Sequence, residues 1–220
     1  MKIGIIIAMD IEYRKMCDLL GGNPHGTIEG NEVVLWQCGI GKVNAAIGAM
    51  QLIAHHSPDC ILSTGLAGGL DNCLAVTDVV VGSQTVYHDV WCGEGNELGQ
   101  VQGLPARFDA DPTLLQCAKK VAERSEHRVF SGLICTGDQF ITDKATQSEI
   151  KSHFPDALAC EMESAAIAHT CLLQNVPFLS VRIVSDTPGN TDDHQRQWSD
   201  FLATMSDRSF QFVNHFLEQL

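Results

Sequence analysis

Apolar residues along this chain fall into short continuous runs separated by stretches of helical spacing. Ile3 to Ala8 is a run of strand length with no polar interruption, the pattern of a strand buried on both faces. Comparable runs predict strands at Val33–Gln37, Cys60–Ser63, Val76–Val86, Arg128–Thr136, Ala157–Cys160 and Val176–Val184. Between them, Asp10 is expected to cap a helix to about Leu20, with Met16, Leu19 and Leu20 on its apolar face. An alanine-rich helix follows from Val43 to about His55. Asp111-Pro112 opens another that runs to about Arg124, as cap and first-turn proline. Further helices are expected at Asp143–Ser152, behind Glu163, and from Ser199 to about Leu217. Residues 88–107 and 187–198 are polar or glycine-rich and predict loops.

Strands alternating with helices in this way predict an α/β fold, three layers (α/β/α) around a central twisted sheet. The long Val76–Val86 and Arg128–Thr136 strands point to a mixed sheet. With 220 residues, no linker and no composition shift, residues 1–220 are expected to form a single domain.

Charge narrows the partners. The chain carries 27 acidic and 14 basic side chains, a formal net charge of -13, which opposes binding to a phosphate backbone. No apolar stretch reaches the length of a membrane span. None of the nine cysteines form Cys-x-x-Cys, and most lie in apolar runs where a free thiol acts as a small hydrophobe. The first residues lead straight into a charged helix, without a signal h-region and cleavage site. These features predict a reduced, cytoplasmic protein with no nucleic-acid or membrane partner.

Candidate chemistry gathers where strands end. Those positions hold Met9-Asp10-Ile11-Glu12, Gly65-Leu66-Ala67-Gly68-Gly69, Gly137-Asp138-Gln139-Phe140-Ile141, Glu161-Met162-Glu163 and Ser185-Asp186. Four of the five carry acids, which suits proton transfer and polyol recognition. Glu163 can accept two hydrogen bonds from a sugar diol, and Phe140 can stack on a heteroaromatic ring. Glu161 is either a pocket edge or a structural anchor. The glycine-rich segment after Ser63 matches neither a Walker loop nor Gly-x-Gly-x-x-Gly; a tight turn and a close backbone approach to a ligand remain open for it. His55-His56, His88-Asp89 and Asp192-Asp193-His194 lack zinc-site spacing, so no metal and no cofactor are expected. His88-Asp89 is a structural or pocket-lining pair.

Taken together, these segments resemble bacterial 5'-methylthioadenosine/S-adenosylhomocysteine nucleosidases. The resemblance rests on Ala8-Met9 with Glu12, Gly39-Ile40-Gly41-Lys42-Val43, Thr64-Gly65 with Ala67-Gly68-Gly69, and Tyr87-His88-Asp89. It continues through Gly137-Asp138 with Phe140-Ile141, Glu161-Met162-Glu163, Ala168-His169, Val176-Pro177-Phe178 and Val184-Ser185-Asp186, in order over nearly the whole chain. It implies a nucleoside phosphorylase-like fold, a small nucleoside substrate and hydrolysis of the N-glycosidic bond of a 5'-substituted adenosine.

The resemblance also implies roles. Asp186 would protonate purine N7 and Glu12 would activate water. Glu163 would grip the ribose hydroxyls, with Met162 against the sugar. Phe140 and the backbone of Ile141 would hold adenine, and Gly68 would admit the nucleoside. Met9, Ile40 and Arg182 match pocket or pocket-neighbouring positions, and Trp198, ahead of the closing helix, would add an apolar wall.

Members of that family are typically homodimers in which a partner residue reaches the 5' pocket, and the 88–107 loop is where that contact is expected. Departures from the family are Ile7 for a glycine, Leu66 for a small residue, and a polar loop at 90–98 where the family carries aromatics. A polar loop points to a 5' substituent more polar than methylthio, such as homocysteine or a futalosine-type group. A phosphorylase would need cations near the glycine-rich segment. Asp59-Cys60-Ile61-Leu62-Ser63 offers none, and Arg14 is the single basic residue near Glu12.

Overall fold

The computed structural model describes residues 1–187, 194–204 and 210–220. Strand β1 (Lys2–Ile7) pairs in parallel with β3 (Asn31–Gln37) on one side and β4 (Cys60–Gly69) on the other. Its period-two alternation sends Ile3, Ile5 and Ile7 to one core and Ile6 to another. Gly4 shares the second face, where a Cβ would come 2.8 Å from Leu52 of α2 (Lys42–His56). Both faces are covered, which is why the strand carries no polar residue beyond Lys2.

Helices α1 (Asp10–Leu19), α3 (Pro112–Ala122) and α7 (Gln211–Gln219) bury Met16, Leu114, Ala118, Phe212 and Phe216 on one side of the sheet. Helix α2 and α5 (Ser164–Gln174) bury Ala45, Ala49, Leu52, Ala165 and Ala168 on the other. The layered mixed sheet is therefore as expected. The remaining elements are β2 (His25–Ile28), β5 (Val79–Tyr87), β6 (Phe108–Asp109), β7 (Val129–Thr136), α4 (Lys144–His153), β8 (Ala157–Glu161), β9 (Phe178–Asp186) and α6 (His194–Thr204).

The nine strands run β2-β3-β1-β4-β8-β7-β5-β6, and β9 pairs with both β4 and β5. Strands β4, β8, β7, β5 and β9 therefore close into a ring, with β1, β3 and β2 fanning out from it. Strand β4 makes this possible: its first half pairs with β1, and Gly68–Gly69 pairs with β8.

Four expectations change. The segment Gly65-Leu66-Ala67-Gly68-Gly69 is strand, continuing β4 without a turn. Its glycines are there for space: a Cβ on Gly65 would come 2.8 Å from Arg182 Nη1 and 2.9 Å from Glu12 Oε1. The cap of α1 is Met9, not Asp10, because the Glu12 carboxylate turns back to accept from Met9 N at 3.0 Å. Asp10 is the first helical residue and pairs with Arg14 at 2.7 Å, so Arg14 is already committed to a carboxylate. Residues 194–198 are helical rather than loop, so Trp198 lies within α6. The single closing helix is replaced by α6 and α7, with 205–209 outside the described residues. Asp192 and Asp193 also lie outside them.

Candidate active site

A cavity of about 480 Å³ opens where the strands end. Ala8 and Met9 reach it from the end of β1, Glu12 from the first turn of α1, and Leu66 to Gly68 from β4. Gln139, Phe140 and Ile141 come from the segment after β7, Cys160 to Glu163 from the β8–α5 junction, and Ser185 and Asp186 from the end of β9. Ile40 and Trp198 complete the wall. Ten of the eleven predicted site residues thus meet in one cavity. Arg182 does not line it.

Glu12 is held by its helix start. One oxygen accepts from Met9 N, and Oε1 accepts from Leu66 N at 2.8 Å. The carboxylate is 2% exposed, and burial raises its pKa despite those two donors. Asp186 owes its aim to an irregularity. Ala67 pairs with Val184 but Gly68 pairs with Asp186, so Ser185 is an extra residue in β9 and the strand bulges there. A bulge interrupts the two-residue alternation and re-aims the side chains beyond it. Ser185 Oγ then donates to Asp186 Oδ1 at 2.6 Å.

The two glutamates around Met162 part company. Glu161 Oε2 pairs with Arg182 Nη2 at 2.7 Å, and its oxygens accept from Thr136 Oγ1 at 2.5 Å, Glu163 N at 3.0 Å and Ser164 N at 2.9 Å. It is an anchor: a paired, saturated carboxylate at the N-terminus of α5. Arg182, 2% exposed, also donates to Ser63 Oγ at 2.7 Å and Ser164 Oγ at 2.9 Å. Its place is behind the cavity wall, neighbouring the lining rather than part of it.

Glu163 is different, because one oxygen accepts from Gly41 N at 2.9 Å while the residue faces the cavity. Burial, with the Glu161 charge beside it, pushes its pKa up to about 8. A carboxyl raised above its unfolded value of 4.5 contributes stability that is whole below that pH and lost as pH rises. The melting-temperature advantage of Glu163→Gln over wild type is therefore expected to widen from about pH 5 to about pH 8. A pH-independent gap would contradict this.

Phe140 meets Trp198 edge to face at 5.6 Å, placing two aromatics at one end of the cavity. Ile7 is a core residue, whereas Leu66 adds apolar surface to the cavity itself. His88 and Asp89 are outside the lining, as is the whole 90–98 loop, with Trp91 exposed. Sequence reasoning missed Ser63, Thr136, Ser164 and Ser180, all buried around Arg182 and Glu161, with Ser164 Oγ 2.7 Å from Ser180 Oγ. The available signal was a hydroxyl inside an otherwise apolar strand, which must have a partner.

Among the described residues, the cavity lining contains Glu12, Glu161, Glu163 and Asp186 and no lysine or arginine. Gly65 is where this electrostatic arrangement is most crowded. Gly65→Ala is expected to cost about 1–3 kcal/mol in denaturant unfolding, since both atoms it meets belong to side chains locked in hydrogen bonds. An unchanged midpoint would contradict that packing.

Known proteins share this outline. The sequence profile of the phosphorylase superfamily matches residues 2–218. A 5'-methylthioadenosine/S-adenosylhomocysteine nucleosidase of Chromohalobacter salexigens is 45% identical over 204 residues, covering 87% of each chain. The corresponding nucleosidase of Neisseria meningitidis, solved with methylthio-immucillin-A, superposes with a TM-score of 0.92 at 35% identity, covering 100% of this chain and 99% of that one. The futalosine hydrolase of Helicobacter pylori superposes with a TM-score of 0.90 at 28% identity, covering 100% and 98%.

Proposed function

On the premise that this chain belongs to the phosphorylase superfamily and, within it, to the 5'-methylthioadenosine/S-adenosylhomocysteine nucleosidases, we propose that it hydrolyses the N-glycosidic bond of 5'-substituted adenosines. The products are adenine and the ribose derivative. The observation that carries hydrolysis rather than phosphorolysis is the cavity lining of four carboxylates with no cation among the described residues. A phosphate dianion there would find no cation in the lining to neutralise it. Arg182, the nearest guanidinium in the strands, is neutralised by Glu161 at 2.7 Å.

The chemistry rests on the acids. Adenine is a poor leaving anion, so Asp186 donates a proton to N7 as the bond breaks. The sugar becomes oxocarbenium-like and is captured by water that Glu12 deprotonates. Burial raises the basicity of Glu12, which suits that task. Glu163 accepts from the ribose diol, and Met162 packs against the sugar. Phe140 and Trp198 enclose the adenine end, with Ile141 backbone, Gly68, Met9 and Ile40 completing the contact surface.

The test is adenine release measured in parallel from methylthioadenosine, S-adenosylhomocysteine, 5'-deoxyadenosine, a futalosine and inosine. Fast release from the 5'-substituted adenosines supports the reading; release from inosine alone contradicts it. A futalosine-type substrate is the second reading, favoured by the likeness to the Helicobacter pylori futalosine hydrolase.

The proposed working unit is a homodimer. Val43, Ile47 and Met50 on α2 and Leu172 and Leu173 on α5 are exposed, and a groove of about 340 Å³ lies between the two helices. An apolar patch of this kind is characteristic of an interface. Ile47→Asp is expected to shift sedimentation to the monomer, and an unchanged dimer would place the interface elsewhere. No helix among the described residues is long and apolar enough to cross a membrane. Cytoplasmic residence is supported by the free thiols of Cys60, Cys135, Cys160 and Cys171, all buried in the core.

A further inference from the structure

Outside the cavity, three charged side chains form a closed circuit that none of the steps above uses. Lys42 Nζ donates to both oxygens of Asp89, at 2.7 and 2.8 Å. Asp89 Oδ2 accepts from Asp138 N at 2.9 Å, and Asp138 Oδ1 accepts from Lys42 N at 2.7 Å. Each residue is therefore bonded to the other two, and each comes from a different segment: the start of α2, the loop after β5 and the loop after β7.

Two neighbours make the location matter. Gly41, immediately before Lys42, donates its N–H to Glu163 Oε1 at 2.9 Å. Gly41 holds φ 93°, and a Cβ there would come 3.0 Å from Asp138 Oδ1, so a side chain is disfavoured on two counts. On the other side, Asp138 is two residues from Phe140, at the aromatic end of the cavity. The packing between these loops is equally close at Gly137, where a Cβ would overlap the His88 ring. An isolated surface ion pair is worth little. This one is bidentate, tied into two backbone N–H groups, and only partly exposed, at 20% for the Lys42 side chain and 29% for that of Asp89.

We infer that Lys42, Asp89 and Asp138 are positioning residues: their circuit fixes the start of α2 so that Gly41 N–H holds the Glu163 carboxylate in register with the ribose hydroxyls, and fixes the Phe140 segment opposite it. The inference rests on the reading of Glu163 as the ribose ligand. None of the three lines the cavity. They act by holding Glu163 and the Phe140 segment, where displacement by about an ångström can cost up to about a hundredfold in rate.

The test compares methylthioadenosine with its 3'-deoxy counterpart in wild type, Lys42→Met, Asp89→Asn and Lys42→Arg. Wild type is expected to prefer the intact diol in kcat/KM. That preference is expected to fall about tenfold in Lys42→Met and Asp89→Asn and to recover in part in Lys42→Arg. A purely structural role would lower both substrates alike and leave their ratio unchanged, which overturns the inference. Should Lys42→Met fail to fold, Asp89→Asn carries the same comparison, because it removes only a charge from a partly exposed side chain. Wild type that releases no adenine from any nucleoside would instead overturn the reading of the site.

Discussion

Asp186→Asn and Glu12→Gln are each expected to lower kcat/KM for adenine release by about 10²–10⁴-fold while leaving the folded state intact. The two losses have different origins. An asparagine at 186 still accepts from Ser185 Oγ, which lies 2.6 Å from Oδ1, so the bulge in β9 keeps its hydrogen bond. What it would lose is the proton proposed for the departing purine. Met9 N and Leu66 N bond to different oxygens of Glu12, so a glutamine there keeps an acceptor for one of them and would lose the capacity to take a proton from water. Stability is expected to hold, because the group removed is a buried carboxyl whose pKa burial has raised. Such a group costs stability as pH climbs past its unfolded value, which offsets the lost hydrogen bond. Circular dichroism and melting curves check the fold, and a product assay checks the rate. Near-normal turnover in either variant would remove that residue from the mechanism.

Arg182→Met has the largest expected effect on stability, about 3–5 kcal/mol. Arg182 and Glu161 have side chains 2% exposed, and their contact at 2.7 Å is the ion pair at the centre of the acid-lined wall. The substitution leaves Glu161 buried without its cation and removes the nearest positive charge acting on Glu12 and Glu163. It also removes the guanidinium donor from the hydroxyls of Ser63 and Ser164. For a chain of this size the loss corresponds to a melting temperature lower by about 6–20 °C. Replacing Arg182 and Glu161 together by apolar residues is expected to cost less than the single change, because no charge is then stranded. A single variant as stable as wild type would contradict the anchoring role.

Much of this arrangement was legible from local pattern. The unbroken Ile3–Ala8 run, the Asp111-Pro112 helix start and the acids at strand ends each depend on chemistry confined to a few neighbours. Asp111 does accept from Thr113 N and Leu114 N, and of the strand-end acids Glu12, Glu161, Glu163 and Asp186 do converge. The features that escaped depend on distant partners. The glycines of β4 look like a turn because nothing nearby reveals that Arg182 and Glu12 press against Gly65 from other elements. Strand β2 has a half-exposed pattern of four residues and exists through its pairing with β3. The two-residue β6 survives only through pairing with β5. The bulge at Ser185 has no sequence mark, since one extra residue shows only against the register of β4. Arg182 was legible as important but not as hidden, because its partners lie 18 to 119 positions away.

Four acids and, among the described residues, no cation line this cavity, which favours attack on the sugar by water over attack by phosphate. The most direct measurement is product analysis with methylthioadenosine in phosphate-free buffer prepared in ¹⁸O-water, repeated with added phosphate. The account predicts equal rates in both, adenine and free 5'-methylthioribose in equal amounts, and one ¹⁸O in the sugar. Product that forms only with phosphate, as a sugar 1-phosphate, would contradict it.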